Sequence, residues 1–581
     1  MKKEIKILSW FYSFFITSNK LDFSLFIFTA LIVSIIEVMS IASIIPFLEV
    51  VLSENMANDN KFVFLITEYF KFQTREELVV FLITIFLSLL FLSSLTKILI
   101  VIFVNHIQRK VGSKLSNLMY SSIINNDYLS ITKKNSSDFL SVITEKAELT
   151  KQSIFNILNS ISSLILLCSL IIFILFITPN FSFLIFILIL FIFLLIIFLT
   201  KKILSKQSLS QSKSIFERFK IVNETYGIIR EIIIDNSQEF FKNKYKKSDD
   251  KFRKAQFVIG IISGIPKFII EYILILIIFI FVYNLLFTYN YNSSHVLPLV
   301  SSFAFVAYRS MPLLNNIYSS IAQISGYKES VLEGINLLNE IKLLKKQNHE
   351  DLTNSNIDLK FNLSLSLKNV NFTYPDNSEK VLKNININLE KGKIYGIKGS
   401  SGTGKSTLLN IISGLIIPTQ GKLFVDNTLI NKEKINLWRN KVSLVSQSNF
   451  FLDETIFENL TISSNINDEQ KLNLLVNSSL KTSVLEDFIK NLPNGVHSKI
   501  GDNAVRISGG QKQRLAIARA LCKKPECLML DESTSGLDIE NEQKLIENLI
   551  NIKSKMLIVL VSHKKQTLEF CDEIIDLDRM N

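Results

Sequence analysis

The stretch Gly399-Ser400-Ser401-Gly402-Thr403-Gly404-Lys405-Ser406-Thr407 fits the pattern G-x-x-x-x-G-K-[ST]. Before it, Ile394-Tyr395-Gly396-Ile397 reads as a buried strand; after it, Leu408-Leu409-Asn410-Ile411-Ile412 opens a helix. Strand, glycine loop and helix in that order predict a phosphate cradle. Glycines let backbone N–H groups turn inward, and the helix N-terminus adds positive potential. In such a cradle Lys405 is expected to reach the β- and γ-phosphates of a nucleotide, and the Ser406 hydroxyl to ligate Mg2+.

The chain has 581 residues, too many for one ordinary domain. Hydrophobic residues make up 48%, with 45 Phe but only 18 Gly and 9 Pro. The excess is uneven. Residues 1–325 carry apolar runs at about 23–52, 79–104, 154–177, 181–199, 257–287 and 296–321. Each is long enough to cross a hydrocarbon core. Residues 1–22, with Trp10, Phe11 and Tyr12 among lysines, suit an interfacial segment. Residues 326–357 read as a charged helical linker, and 358–581 as a soluble α/β domain with a parallel sheet and crossovers.

The net charge of +12 does not point to nucleic acid. The basic residues crowd into two long stretches, one between the second and third runs and one at 201–254. The positive-inside rule makes these stretches, both termini and the phosphate loop cytoplasmic. The four cysteines, Cys168, Cys522, Cys527 and Cys571, form no C-x-x-C pair, so neither a metal site nor a disulfide framework is indicated. The abundance of Ile, Lys and Asn suits a bacterial genome rich in AT, and with the apolar runs it predicts a multi-pass protein of a bacterial cytoplasmic membrane.

Further residues follow in the order a nucleotide machine needs. Cys527-Leu528-Met529-Leu530 reads as a strand ending in Asp531-Glu532: Asp531 suits Mg2+ and Glu532 a general base. A second strand at 556–561 ends in Ser562-His563, and His563 is a donor for the γ-phosphate. Singly these have plainer readings, a helix cap or a surface histidine. The segment Ile507-Ser508-Gly509-Gly510-Gln511-Lys512-Gln513-Arg514 resembles the signature sequence of ABC transporter ATPases. That resemblance spans the soluble domain and implies roles residue by residue. ATP would be held by Tyr374, stacked on adenine, and by Gly399, Ser400, Ser401, Gly402, Thr403, Gly404, Lys405, Ser406 and Thr407. Ser508, Gly509, Gly510 and Gln511 would close over ATP bound to a partner chain. Lys405, Gln447, Glu532 and His563 would be catalytic, and Ser406, Gln447 and Asp531 would hold Mg2+. Ser535-Gly536-Leu537-Asp538 matches the D-loop, loosened by Gly536 where Ala is usual. The exporter X-loop reads Ile500-Gly501-Asp502-Asn503-Ala504, with Ala504 in place of a glycine.

Six spans ahead of one ATPase domain resemble half of an ABC exporter: an all-α transmembrane domain fused to an α/β P-loop ATPase, working as a homodimer in the lipid bilayer. The coupling helices would lie near 126–134 and 235–244. Five charges fall inside the spans, Glu37, Lys97, Lys267, Glu271 and Arg309. An intramembrane charge costs about 3 kcal/mol on insertion scales and usually faces a cavity. Lys267 and Glu271 are spaced to neutralise each other. By span direction Lys97, Lys267 and Arg309 fall in the cytoplasmic half of the bilayer, where they suit an anionic headgroup. The wording around Glu37, Pro266-Lys267 and Arg309-Ser310-Met311-Pro312 resembles the lipid-linked oligosaccharide flippases, with Lys267 where Arg is expected. The implied cargo is a polyprenyl-diphosphate sugar. A multidrug or lipid A-type exporter is the rival within the class, and a membrane-tethered regulatory ATPase the rival outside it.

Overall fold

The structure, a computed structural model, describes residues 2–52, 61–72, 74–133, 135–177, 179–288, 293–352, 359–375, 378–464, 466, 468–501 and 504–580. Lys134, Asp358, Asp502 and Asn503, which fall in the coupling region, the soluble domain and the X-loop read above, lie outside them, as does the connection at 289–292. The chain divides into two compact units, residues 1–345 and 346–581.

The first unit is helical. In order it runs through α1 (Lys2–Ser18), α2 (Lys20–Ala42), α3 (Ile44–Leu52), α4 (Lys61–Phe70), α5 (Arg75–Ile124), α6 (Tyr128–Thr132), α7 (Ser136–Ser141), α8 (Ala147–Ile177), α9 (Pro179–Gly227), α10 (Ile229–Ile234), α11 (Gln238–Gly264), α12 (Pro266–Tyr283) and α13 (Ser293–Leu352). Six of its helical stretches are long and apolar enough to cross a membrane. The helices extend far past the apolar runs. α5 has 50 residues and α9 has 49, so each is about 75 Å long at 1.5 Å per residue. Much of the basic sequence read as connecting loop is thus helix continuing beyond the hydrocarbon core. Hydropathy falls where the helix meets water, but nothing there breaks it. α13 likewise joins the sixth apolar run to the charged segment after it without a break.

Two of the breaks fall at prolines, whereas α13 runs on through Pro298 and Pro312. Pro46 lacks an N–H and would crowd the carbonyl of Ala42, and the first span divides there into α2 and α3. Arg75 then caps the exposed end of α3, its Nε 3.1 Å from the Val50 oxygen and an Nη 2.5 Å from that of Val51. Pro266 starts α12. The short helix α6 falls within the first region expected for coupling. Near the second, the short helix is α10, ahead of the expected 235–244; the chain turns at Asn236 (φ +49) and 238 onward is already α11. α1 is also more than an interfacial segment: Ile7, Trp10, Phe11 and Phe14 are buried in one core with Val111 and Leu115 of α5.

The second unit is α/β. A four-stranded antiparallel sheet, in the order β2-β1-β4-β5, uses β1 (Ser364–Phe372), β2 (Leu382–Glu390), β4 (Gln420–Val425) and β5 (Thr428–Leu429). A five-stranded sheet has the order β6-β7-β8-β3-β9, from β3 (Ile394–Lys398), β6 (Val442–Val445), β7 (Cys527–Asp531), β8 (Leu557–Val561) and β9 (Glu573–Asp576). All four of its pairings are parallel. β7 and β8 are apolar runs because helices cover both faces. The helices include α14 (Lys405–Ile412), α15 (Ile435–Lys441), α16 (Ile456–Thr461), α17 (Glu469–Thr482), α18 (Glu486–Lys490), α19 (Gly509–Cys522) and α20 (Ile539–Ile552). The sequence reading anticipated the parallel sheet and its crossovers but not the antiparallel sheet.

Candidate active site

The phosphate loop joins β3 to α14. Gly402 has φ +88 and Gly404 φ +95, backbone conformations open to glycine and costly for other residues. At Gly404 a Cβ would also stand 2.9 Å from Val381 Cγ1. The loop is closed on itself. Lys405, only 8% exposed, donates through Nζ to the carbonyls of Gly399 (2.8 Å) and Ser400 (2.9 Å). Its ammonium is therefore already in the loop, with two weak acceptors to give up to a phosphate. Thr407, in the first turn of α14, lies 3.1 Å from the Tyr374 hydroxyl, which brings that aromatic to the loop.

The tips of β6, β7 and β8 lie next to one another because those strands pair in parallel. Asp531 ends β7. Burial pushes its carboxyl above the usual range, while a hydrogen bond from the Ser406 hydroxyl acts in the other direction. Asp531 and Ser406 thus meet before any ion is bound, two oxygen donors of the kind Mg2+ takes. Glu532 follows in a left-handed conformation (φ +50) that an L-residue adopts at a cost. Both carboxylate oxygens are engaged: Gln447 Nε2 donates to Oε2 at 2.9 Å, and His563 Nε2 lies 3.2 Å from Oε1. The structure therefore brings Lys405, Ser406, Gln447, Asp531, Glu532, His563 and Tyr374 into one linked group.

Ser508 to Gln511 form a second group. Ser508 is the N-cap of α19 in a reciprocal capping box: its Oγ accepts from Gln511 N–H (3.3 Å), and Gln511 Oε1 accepts from Ser508 N–H (2.9 Å). Among the described residues, the side-chain hydrogen bonds of Ser508 and Gln511 are thus with each other rather than with the phosphate loop. Ser508 and Gly509 are exposed at a helix N-terminus, where unpaired N–H groups favour an anion. Gly510 abuts the Gly536 carbonyl, which a Cβ would approach to 3.0 Å. Gly536 does not loosen its loop as expected. Its bare Cα lets Gln513 come close enough to accept from Gly536 N–H at 3.0 Å, while Gln513 Nε2 reaches Ser535 Oγ at 3.4 Å. Ala504 has φ +54, so the glycine usual there answers a real backbone demand.

One residue of this site escaped the sequence reading. Asp578 accepts from Ser400 N–H (2.9 Å) and from Ser400 Oγ (2.9 Å), pinning the start of the phosphate loop from the far end of the chain. No local signal marks it; only the pairing of β9 with β3 brings it there.

Residues 382–535 match the family model described as ABC transporter, and residues 23–310 the one described as ABC transporter transmembrane region. The chain belongs to the ABC transporter family. A bacterial Atm1-family ABC exporter with ATP bound has the same fold, with a TM-score of 0.77 at 17% identity over 96% of this chain and 94% of that one. This ABC transporter chain is 34% identical over 215 residues to an ATP-dependent lipid A-core flippase of Bordetella avium, covering 37% of the chain and 36% of the flippase. It is 36% identical over 215 residues to a putative multidrug export ATP-binding/permease protein of Staphylococcus aureus, covering 37% and 36%. With a probable ABC transporter ATP-binding/permease protein of Haemophilus influenzae it shares 34% over 273 residues, 47% of each. The matches span between 36% and 47% of the length of these curated relatives.

In the membrane unit of this ABC transporter the five intramembrane charges separate. Glu37, 2% exposed, pairs through Oε1 with Lys97 Nζ (2.6 Å) and Arg309 Nε (3.4 Å), and through Oε2 accepts from the Ser93 hydroxyl. Three helices, α2, α5 and α13, thereby meet at one carboxylate. Lys267 lies elsewhere: it is exposed, 6.0 Å from the Phe268 ring, and no ion pair joins it to Glu271 among the described residues. The expected Lys267–Glu271 neutralisation does not form, and Lys97 and Arg309 are counter-ions rather than free cations.

Proposed function

We propose that this chain is one half of a homodimeric exporter that hydrolyses ATP to move a lipid-linked anionic saccharide across a bacterial cytoplasmic membrane. The observation that carries the ATPase is the clamp on Glu532. A carboxylate held by an amide on one oxygen and an imidazole on the other is positioned to accept a proton from an attacking water. Ser406, Asp531 and the amide of Gln447 suit Mg2+, which when bound offsets phosphate charge. Lys405 exchanges the carbonyls of Gly399 and Ser400 for phosphate oxygens, and Tyr374 offers its ring to the base. Ser508, Gly509 and Gly510 of the partner chain would close the site, the Ser508 hydroxyl and the N–H groups of the two glycines facing the γ-phosphate from the far side.

The cargo reading rests on Lys97 and Arg309, cations inside apolar helices that suit a phosphate or diphosphate headgroup. A second reading, a multidrug or lipid A-type exporter, has its own support. An apolar cavity of about 250 Å³ lies among α8, α9, α12 and α13, lined by Cys168, Phe186, Phe193 and Phe303. The test is reconstitution of the full chain in liposomes. ATP-dependent translocation of a labelled polyprenyl-diphosphate sugar is expected. Transport of amphipathic drugs without it would sink the first reading in favour of the second.

A further inference from the structure

We propose that Glu37 is the resident counter-ion of an anion site, and that a phosphate-bearing headgroup enters by displacing it from Lys97 and Arg309. This rests on the reading above that these cations serve the cargo.

The geometry is that of an incompletely satisfied site. One carboxylate faces two cations, so the cluster retains a surplus positive charge inside the apolar spans. Both cations share a single oxygen, Oε1, while Ser93 of α5, itself 1% exposed, holds the other. Arg309 is poorly used. Its Nε is buried without a hydrogen bond, 3.4 Å from Oε1. Its guanidinium carbon stands 5.3 Å from the Phe305 ring, so one face is spoken for. Neither Nη meets a carboxylate among the described residues. The fork that binds phosphate oxygens in pairs is left over.

Exposure points the same way. The Glu37 side chain is 3% exposed, against 32% for Lys97 and 27% for Arg309. The carboxylate sits back in the wall and the cations reach open space. A ligand with several anionic oxygens can therefore meet both cations from the open side. Glu37 then keeps its Ser93 bond and loses its share of the cations. In the empty transporter the carboxylate spares two intramembrane cations from standing unpaired, which is expensive in hydrocarbon. It also sets a threshold, because only an anion that outcompetes a fixed carboxylate is admitted. A monoanionic or neutral amphiphile does so less well than a diphosphate.

The test measures binding of tritiated farnesyl diphosphate to the full-length protein in phosphatidylcholine nanodiscs, with inorganic diphosphate and farnesol as competitors. Glu37→Gln keeps the side chain's shape and removes the competitor, so farnesyl diphosphate should bind about tenfold tighter while farnesol is unchanged. Ser93→Ala removes the one partner a displaced Glu37 keeps, without altering any charge, so farnesyl diphosphate should bind about two- to threefold more weakly. Ser93→Ala also carries the test if Glu37→Gln does not fold. Competition by inorganic diphosphate as strong as by farnesyl diphosphate identifies a free anion as ligand, and competition only by the prenylated form a lipid headgroup; both support displacement. Unchanged or weaker binding in Glu37→Gln, or unchanged or tighter binding in Ser93→Ala, overturns the counter-ion role. If Arg309→Gln also binds farnesyl diphosphate like the parent, the anionic-cargo reading itself fails.

Discussion

Glu532 holds two properties that rarely coincide in one side chain: a left-handed backbone and a carboxylate tied on both oxygens. Strain of this kind persists only where the surroundings fix it, and it is common at catalytic positions. Replacing the acid by its amide keeps the shape and removes the base. Glu532→Gln should lower ATP turnover by about a hundredfold or more while ATP still binds, read by steady-state hydrolysis beside nucleotide binding. Unchanged turnover would refute the assigned base. Asp426 makes a second residue-scale case. Burial would raise its carboxyl, but N–H groups of Asn362, Leu363 and Ser364 hold it below the usual range. A lowered carboxylate adds stability above its unfolded value, about 3.9, and that contribution is lost as pH falls through the lower folded value. Asp426→Asn should therefore melt earlier than the parent at pH 7, and the gap should narrow progressively as pH falls below about 4. The phosphate loop and the carboxylates after β7 were legible because each motif is contiguous in sequence. Asp578 and the Glu37 partnership were not, since each depends on residues brought together by packing across the fold.

Elements were legible where sequence chemistry breaks or patterns them. Pro46 and Pro266 mark two helix boundaries, though Pro298 and Pro312 inside α13 do not, and β7 and β8 announce themselves as apolar runs. Helix length was not legible in the same way. The hydropathy of α5 and α9 drops at the membrane surface, which reads as a boundary, yet the polar residues beyond it are good helix formers. The antiparallel sheet was hidden because its strands alternate irregularly and bulge, with register shifts on both sides of β1. Trp438 of α15, fully buried, ties the end of α14 to the segment just ahead of β1, donating from Nε1 to the carbonyl of Ile412 (2.7 Å) and meeting Phe361 edge-on. Trp438→Ala should destabilise the protein by about 3–5 kcal/mol. Denaturant unfolding of the full chain in detergent checks it, and a loss under 1 kcal/mol would show that this plug is dispensable.

For the whole molecule, the separation of Ser508–Gln511 from the phosphate loop makes a prediction about assembly. If each site is completed by the other chain, a chain carrying Lys405→Ala and a chain carrying Ser508→Arg are both inactive alone. Mixed and co-assembled, every heterodimer has one intact pairing of loop and signature. With random pairing and independent sites, about a quarter of parental hydrolysis should return. Mixtures as inactive as their components would mean that both sites must work together or that the site is not shared.

The lengths of α5 and α9 carry a mechanical consequence. A straight rod about 75 Å long that tilts by about 5° moves its tip by roughly 6 Å, more than one helical turn. Such helices act as levers. A displacement of a few ångströms at the far tip needs only a small rotation within the bilayer, where the three helices meeting at Glu37 would feel it as a change of angle rather than of position. Force is gained toward the membrane in proportion to distance lost, which suits the displacement of Glu37 proposed above.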